Sequence, residues 1–183
     1  FILKMLVNNS RDHIRQFEIL KGWEGETREK LDFRFLFCRQ VLEVKSTINA
    51  DRIHHLHGLE QVTIPPGFEN GCLASLLLHS GQGITALELV NTLLNSAKGT
   101  IEEKRNFQEL LERRILLRGE VCNDNRFSFE LVRDGLKFFD FGNVPTPGEV
   151  DGVSSVEWVS DLSGSQSFNS SETDEMVSKI TLR

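Results

Sequence analysis

The sequence predicts an α+β fold in which N-terminal helices pack on a module of three helices and a β-hairpin, followed by a flexible acidic tail. Apolar residues recur at helical spacing in the N-terminal third and again from 71 to 114. Alternating phenylalanines and turn signals follow, which is typical of a hairpin. We divide the chain into an N-terminal helical region (1–65), a central domain (66–142) and a Ser/Gly-rich tail (143–183) with seven acidic and two basic side chains.

Composition restricts the possible functions. The chain has 183 residues and a net charge of −6, and this charge argues against a general polyanion binder. Cys38, Cys72 and Cys122 are odd in number and far apart, so we expect neither a disulfide framework nor a CxxC zinc site. An intracellular, cytoplasmic location is the simplest expectation, with the membrane periphery or the nucleus as alternatives. The first residue is Phe1, so we expect that sequence upstream of it has been removed.

The N-terminal region is predicted to be helical. Ser10 precedes apolar residues at helical spacing, and Gly22 offers a stop, which indicates a short amphipathic helix. A longer helix is predicted over Thr27 to Lys45, with a wide apolar surface from Leu31, Phe33, Phe35, Leu36, Val41, Leu42 and Val44. The following residues, up to 67, are interpreted as an irregular connector.

The central domain begins with a predicted short helix over 71–79. A second helix is predicted over 86–94, with Thr85 as its N-cap. Thr100 and Glu103 have capping-box spacing for a third helix that runs to about Arg114. Strand-like residues with turn signals complete the module. The order is helix, helix, helix, hairpin.

This order is the layout of a winged helix. Within that class, GITALELVNTLL followed by RNFQELLERRILLRG resembles the DEP family of signalling domains, over about residues 67–142. The sequence departs from the family pattern at Asn91-Thr92, where DEP domains carry Trp, and at 138–141, which only approximates the aromatic close. The positions that match are Gly83, Leu87, Leu89, Val90, Leu93, Leu94, Leu110, Leu111, Ile115, Leu116 and Gly119. The resemblance implies a docking module without catalysis.

The third predicted helix carries the candidate binding residues. Residues 101–114 hold four glutamates and four basic side chains, so docking to a protein or an acidic membrane surface is favoured over DNA, which is not excluded. The alternative is a solvated helix face with i, i+4 ion pairs. The candidate partner-binding residues are Lys104, Arg105, Arg113, Arg114 and Arg118.

Other candidate chemistry is sparse. His54, His55 and His57 could bind zinc together with Cys38 or Cys72, but a solvated loop is the favoured interpretation. Cys122 is the only cysteine considered as a nucleophile. No catalytic residue, metal or cofactor is therefore predicted.

Three classes of function follow. The first is a non-catalytic protein–protein interaction or scaffold module of a larger intracellular signalling or trafficking complex. The second is a nucleic-acid-associated winged helix. The third is an enzyme with an unrecognised site.

Overall fold

The computed structural model describes residues 1–24, 31–116, 128–148 and 156–182, and their side chains except 80–87, 114–116 and 128–130. Within these ranges there are five α-helices and six strands. The helices are α1 (Ile2–Asn9), α2 (His13–Lys21), α3 (Ala86–Asn95), α4 (Ile101–Leu116) and α5 (Ser170–Thr181). The strands are β1 (Phe33–Phe35), β2 (Gln40–Thr47), β3 (Ile53–Leu56), β4 (Asn70–Thr85), β5 (Ser128–Asp140) and β6 (Trp158–Asp161).

A mixed four-stranded sheet in the order β1-β2-β4-β5 forms the centre of the protein. Strand β1 pairs antiparallel with β2, β2 parallel with β4, and β4 antiparallel with β5. The parallel pair requires a crossover between β2 and β4. This crossover contains β3 and a short 3-10 turn, Leu59–Val62. Strand β3 pairs with β6 in a separate two-stranded sheet.

The two faces of the main sheet are covered by different layers. On one face, Leu42, Ala74 and Phe138 belong to a core shared with the helices, which includes Leu6 of α1 and Ile180 of α5. On the other face, Val41, Leu73 and Phe139 pack with Leu56 of β3 and Leu162, just after β6. Because side chains alternate along a strand, neighbouring residues of β2 enter different cores.

Two predicted helices are strands. The segment 27–45 contains β1, a 3-10 turn (Leu36–Cys38) and β2, and 71–79 lies in β4. The helical prediction was wrong because strands buried on both faces show a continuous apolar run, which periodicity cannot distinguish from a buried helix. Helices α3 and α4 are confirmed as elements. The capping box of α4 is also present, since the amide of Thr100 donates to Glu103 Oε2 at 2.7 Å.

The mixed α+β class is confirmed, but the winged-helix arrangement is wrong. Its first helix is replaced by β4, and β5 is one strand along β4. The expected Asp134-Gly135 turn instead lies near a register shift between Leu76 and Leu78, as at a β-bulge. Part of the predicted flexible tail forms α5, capped by Asn169 and Glu172. The division into three regions stays a prediction.

Among the described residues, no helix combines the length and apolar character needed to cross a membrane. The predicted compartment stays a prediction.

The close contact between Gly71 and Phe141 predicts a measurable defect. A Cβ on Gly71 would lie 2.3 Å from Cδ2 of the buried Phe141. Gly71→Ala should therefore lower the free energy of unfolding by ~1–3 kcal/mol, through overpacking, in urea denaturation. Gly164→Ala is the matched control, because no described residue other than its chain neighbours has an atom within 4 Å of the added methyl group. Equal stability of both variants would contradict the packing described.

Candidate active site

Two acidic side chains come together where β1 and β2 pair. Phe33 pairs with Leu42, so Asp32 and Glu43 are the next residues in the antiparallel register, on the face opposite the helices. The backbone amide of Val44 donates to Asp32 Oδ2 at 2.8 Å. Glu43 is 3% exposed and Asp32 is half-buried. The pairing of β1 with β2 therefore brings the carboxyl groups of Asp32 and Glu43 close together at a largely buried position.

Lys45 lies two residues further along β2, on the same face as Glu43. Its Nζ is 2.9 Å from Glu43 Oε1, and the Lys45 side chain is 17% exposed. The ammonium also donates to Gln61 Oε1, in the crossover, at 3.1 Å. Glu43 and Lys45 thus form a buried ion pair beside Asp32.

The surroundings of Glu43 disfavour the charged form of its carboxyl group. Burial, and then the negative charge of Asp32, raise the pKa of the Glu43 carboxyl to about 8, although Lys45 opposes the shift. Glu43 therefore holds its proton to a higher pH than an exposed glutamate does. A second positive charge between the two carboxyl groups would relieve this repulsion.

The donor chemistry fits a hard divalent cation. Carboxylate oxygens are the ligands that Mg²⁺ and Ca²⁺ prefer, and Mg²⁺ commonly takes one or two carboxylates while keeping several waters. In the described part of the chain, no group of three or more His, Cys, Asp or Glu side chains could hold a metal ion. With two carboxyl groups, Asp32 and Glu43 fit a cation that completes its coordination with water and substrate oxygens.

A buried polar cluster supports the same face of the sheet. Ser75 of β4 is the register partner of Lys45. The Arg52 guanidinium donates to Ser75 Oγ at 2.9 Å and to the carbonyl of Gly135 at 2.8 Å. His54 Nε2 lies 2.7 Å from the same Oγ. These contacts join the start of β3 to β4 and β5, and so fix the crossover over the ion pair.

Among the described residues, the histidines considered as zinc ligands do not form a metal-binding group with Cys38 or Cys72. His54 is buried, and burial followed by the charges of Arg52 and Lys45 lowers its pKa to about 4, so it is neutral. His55 is exposed, and His57 Nδ1 lies 3.3 Å from Glu157 Oε1. The expected solvated loop of histidines is therefore wrong for His54, which lies on β3.

The cysteines considered for chemistry have no activated thiol in the described residues. Burial raises the pKa of Cys38 to about 11 and that of Cys72 to about 12, so both remain thiols. Cys122 lies outside the described residues. Neither Cys38 nor Cys72 is suited to nucleophilic attack.

Three of the predicted partner-binding residues lie on the helical side of the sheet, away from Asp32 and Glu43. Lys104, Arg105 and Arg113 are exposed on α4, whose Phe107 and Leu111 pack in the core shared with the helices. Arg105 Nε is 3.6 Å from Glu109 Oε1. The side chain of Arg114 and all of Arg118 lie outside the described residues. Their binding role stays a prediction.

The site combines an acidic residue with a Glu-x-Lys sequence on the next strand, on a sheet flanked by helices. This combination defines a class of protein. A family model described as "Putative PD-(D/E)XK family member (DUF4420)" matches residues 1–163. The chain therefore belongs to this family. In the motif that names the family, Asp32 corresponds to the D, and Glu43-Val44-Lys45 corresponds to (D/E)XK. Leu31 stands where the motif has proline. Searches of the curated proteins and of the solved structures found no match.

This family membership corrects three predictions. The resemblance to winged-helix and DEP domains is wrong, because the matching family is a different one. PD-(D/E)XK proteins are typically nucleases, so the expected non-catalytic scaffold and signalling role is contradicted as well. The prediction that the chain is not an enzyme is also overturned. The alternative of an enzyme with an unrecognised site has the better support.

Sequence reasoning missed the site because it placed Asp32, Glu43 and Lys45 on one helix. A signal was present. Val41, Leu42 and Val44 surround the Glu-x-Lys spacing with strand-forming residues, and Phe33 and Phe35 follow Asp32 in alternation. Read as two strands, the segment would have placed an aspartate beside a Glu-x-Lys triplet.

Proposed function

We propose that the protein is a metal-dependent nuclease that hydrolyses phosphodiester bonds, with its active centre at Asp32, Glu43 and Lys45. The observation that carries the proposal is the arrangement of these groups: two adjacent carboxyl groups with a lysine ammonium 2.9 Å from one of them. Membership of the PD-(D/E)XK family supports it. A bound divalent cation would supply Lewis-acid activation of water and of the phosphate.

The chain's own residues account for the other requirements. Asp32 and Glu43 would hold the cation, and the hydrogen bond from the Val44 amide fixes the Asp32 carboxylate. Lys45 would place a positive charge beside the oxygen that gains charge as phosphorus is attacked, where a preorganised charge is most effective. The buried surroundings of Glu43 strengthen these electrostatic interactions.

Arg34 of β1, two residues after Asp32, lines two clefts. One, of about 310 Å³, is lined by Leu31, Arg34 and crossover residues that include Ile64. The other, of about 470 Å³, is lined by Arg34, Lys21 and the ring of Phe68. The first cleft also contains Glu60, and the second contains Glu18 and Glu24, so basic and acidic side chains are equal in number in each cleft. Arg34 and Lys21 are suited to phosphate contacts, but neither cleft is a positively charged groove.

The direct test is cleavage of labelled single-stranded DNA, duplex DNA and RNA, each with Mg²⁺, Mn²⁺ or EDTA. We expect cleavage of at least one substrate with metal and none with EDTA. In this assay Lys45→Met should reduce cleavage, whereas its matched control Lys179→Met, which removes an exposed lysine paired with Glu175 on α5, should not. Absence of metal-dependent cleavage of all three substrates would contradict the proposal.

A further inference from the structure

The ammonium of Lys45 has two oxygen partners of different character. Glu43 Oε1, at 2.9 Å, belongs to the carboxyl group that would bind the cation. Gln61 Oε1, at 3.1 Å, is neutral and lies in the 3-10 turn of the crossover. Of these two oxygens, only Glu43 Oε1 would change its partner when a metal binds.

The amide oxygen of Gln61 is fixed by a second donor. The backbone amide of His57 donates to Gln61 Oε1 at 2.9 Å. The backbone amide of Gln61 donates to the carbonyl of Gly58 at 3.1 Å, which fixes the main chain of this residue. A carbonyl oxygen has two lone pairs, and here Lys45 and His57 occupy both. The turn therefore presents this oxygen to Lys45 in one orientation.

Metal binding would change the forces on Lys45. A divalent cation at Asp32 and Glu43 would draw on the charge of Glu43 and would repel the ammonium. The attraction that holds Lys45 at Glu43 would then weaken at the moment when its position matters for the reaction. The neutral oxygen of Gln61 would keep its lone pair for the ammonium.

We propose that Gln61 is a positioning residue, which holds Lys45 in its reactive orientation once a cation occupies Asp32 and Glu43. This inference rests on the proposed nuclease function. Lys45 faces the substrate, and Gln61 acts through Lys45. The crossover is thereby part of the active centre as well as a cover over the sheet.

Kinetics of three variants test this role. Gln61→Leu keeps the approximate size but removes the acceptor, and it should lower kcat by ~10–100-fold with KM changed little, as is typical for residues that orient an active group. Gln61→Glu restores an acceptor oxygen and should recover most of that loss. Asparagine is one methylene shorter than glutamine, so the oxygen in Gln61→Asn cannot reach Lys45, and this variant should behave like Gln61→Leu. If Gln61→Leu does not fold, Gln61→Asn takes its place in the test.

Gln108→Leu is the matched control, because it removes an exposed glutamine that bonds Glu112 on α4. It should retain the kcat of the unaltered protein. Full activity of both Gln61→Leu and Gln61→Asn would overturn the inference, as would a failure of Gln61→Glu to exceed Gln61→Leu.

A second measurement needs no catalysis. Acetylation of each lysine by acetic anhydride, quantified by mass spectrometry, reports how firmly its ammonium is held, with exposed Lys179 as the internal reference. Loss of the Gln61 acceptor should raise the reactivity of Lys45 several-fold, and more so with Mg²⁺ present. Unchanged reactivity of Lys45 would overturn the inference. If the unaltered protein cleaves nothing, the nuclease proposal fails, and this measurement still decides whether Gln61 holds Lys45.

Discussion

Glu43→Gln is expected to lower metal-dependent cleavage by roughly 10³-fold while making the folded protein more stable at high pH. Glutamine has nearly the shape of glutamate but carries no charge. It therefore removes a ligand of the cation and, at the same time, the repulsion between Glu43 and Asp32. A residue with a purely structural role would not show these opposite effects on activity and stability.

The sign of the stability change follows from the pKa of Glu43. Its folded-state pKa, about 8, lies above the ordinary 4.5, so the folded protein binds the proton more tightly than the unfolded chain. This contribution to stability is fully present below about pH 4.5 and is lost as pH rises through 8. Glu43→Gln should thus gain roughly 2–4 kcal/mol above pH 8 and little near pH 4.5.

Urea denaturation at pH 4.5 and 8.5, with single-turnover cleavage rates, measures both effects. Glu69→Gln is the matched control, because Glu69 is exposed and pairs with Arg39. It should change neither quantity appreciably, since exposed ion pairs contribute at most about 1 kcal/mol. A Glu43→Gln protein that cleaves at the original rate, or that is less stable at pH 8.5, would contradict the account.

Lys45→Met should also reduce cleavage by ~10²–10³-fold, for a different reason. The cation site is kept, but the positive charge beside the reacting phosphate is lost. Because Lys45 lowers the pKa of Glu43, its removal should raise that pKa further. Mg²⁺ binds only when Glu43 is deprotonated. The pH range over which Mg²⁺ binds should therefore shift to higher pH in this variant.

The shift can be measured as the pH dependence of the rise in melting temperature on addition of Mg²⁺. Stabilisation by the metal should appear at higher pH in Lys45→Met than in the unaltered protein, while Lys179→Met should match the unaltered protein. Identical pH profiles for the two lysine variants would show that Lys45 is not coupled to the metal-binding carboxylates.

The sequence predicts the local parts of this protein and not its long-range pairings. The capping box of α4 depends only on Thr100 and Glu103, which are close in the chain, and it was predicted correctly. Strand β2 was taken for a helix because Val41 and Leu42 are buried in two different cores, one on each face of the sheet. A strand with both faces buried lacks the alternation by which strands are recognised.

The active site has the same difficulty in a stronger form. Asp32 and Glu43 become neighbours only through the pairing of β1 with β2, and Gln61 reaches Lys45 only through the crossover. The Arg52 and Ser75 contact likewise joins residues far apart in sequence. Charge composition could not indicate this site, because the groups that define it are few and mostly buried.

The most direct test of the central claim is a calorimetric titration of Mn²⁺ into the unaltered protein and into a variant that combines Asp32→Asn with Glu43→Gln. Both proteins should be folded, as checked by circular dichroism, at pH 8, where Glu43 can lose its proton. We predict saturable binding to the unaltered protein and its loss in the double variant. Equal binding by both proteins, or no binding by either, would contradict a metal centre at Asp32 and Glu43.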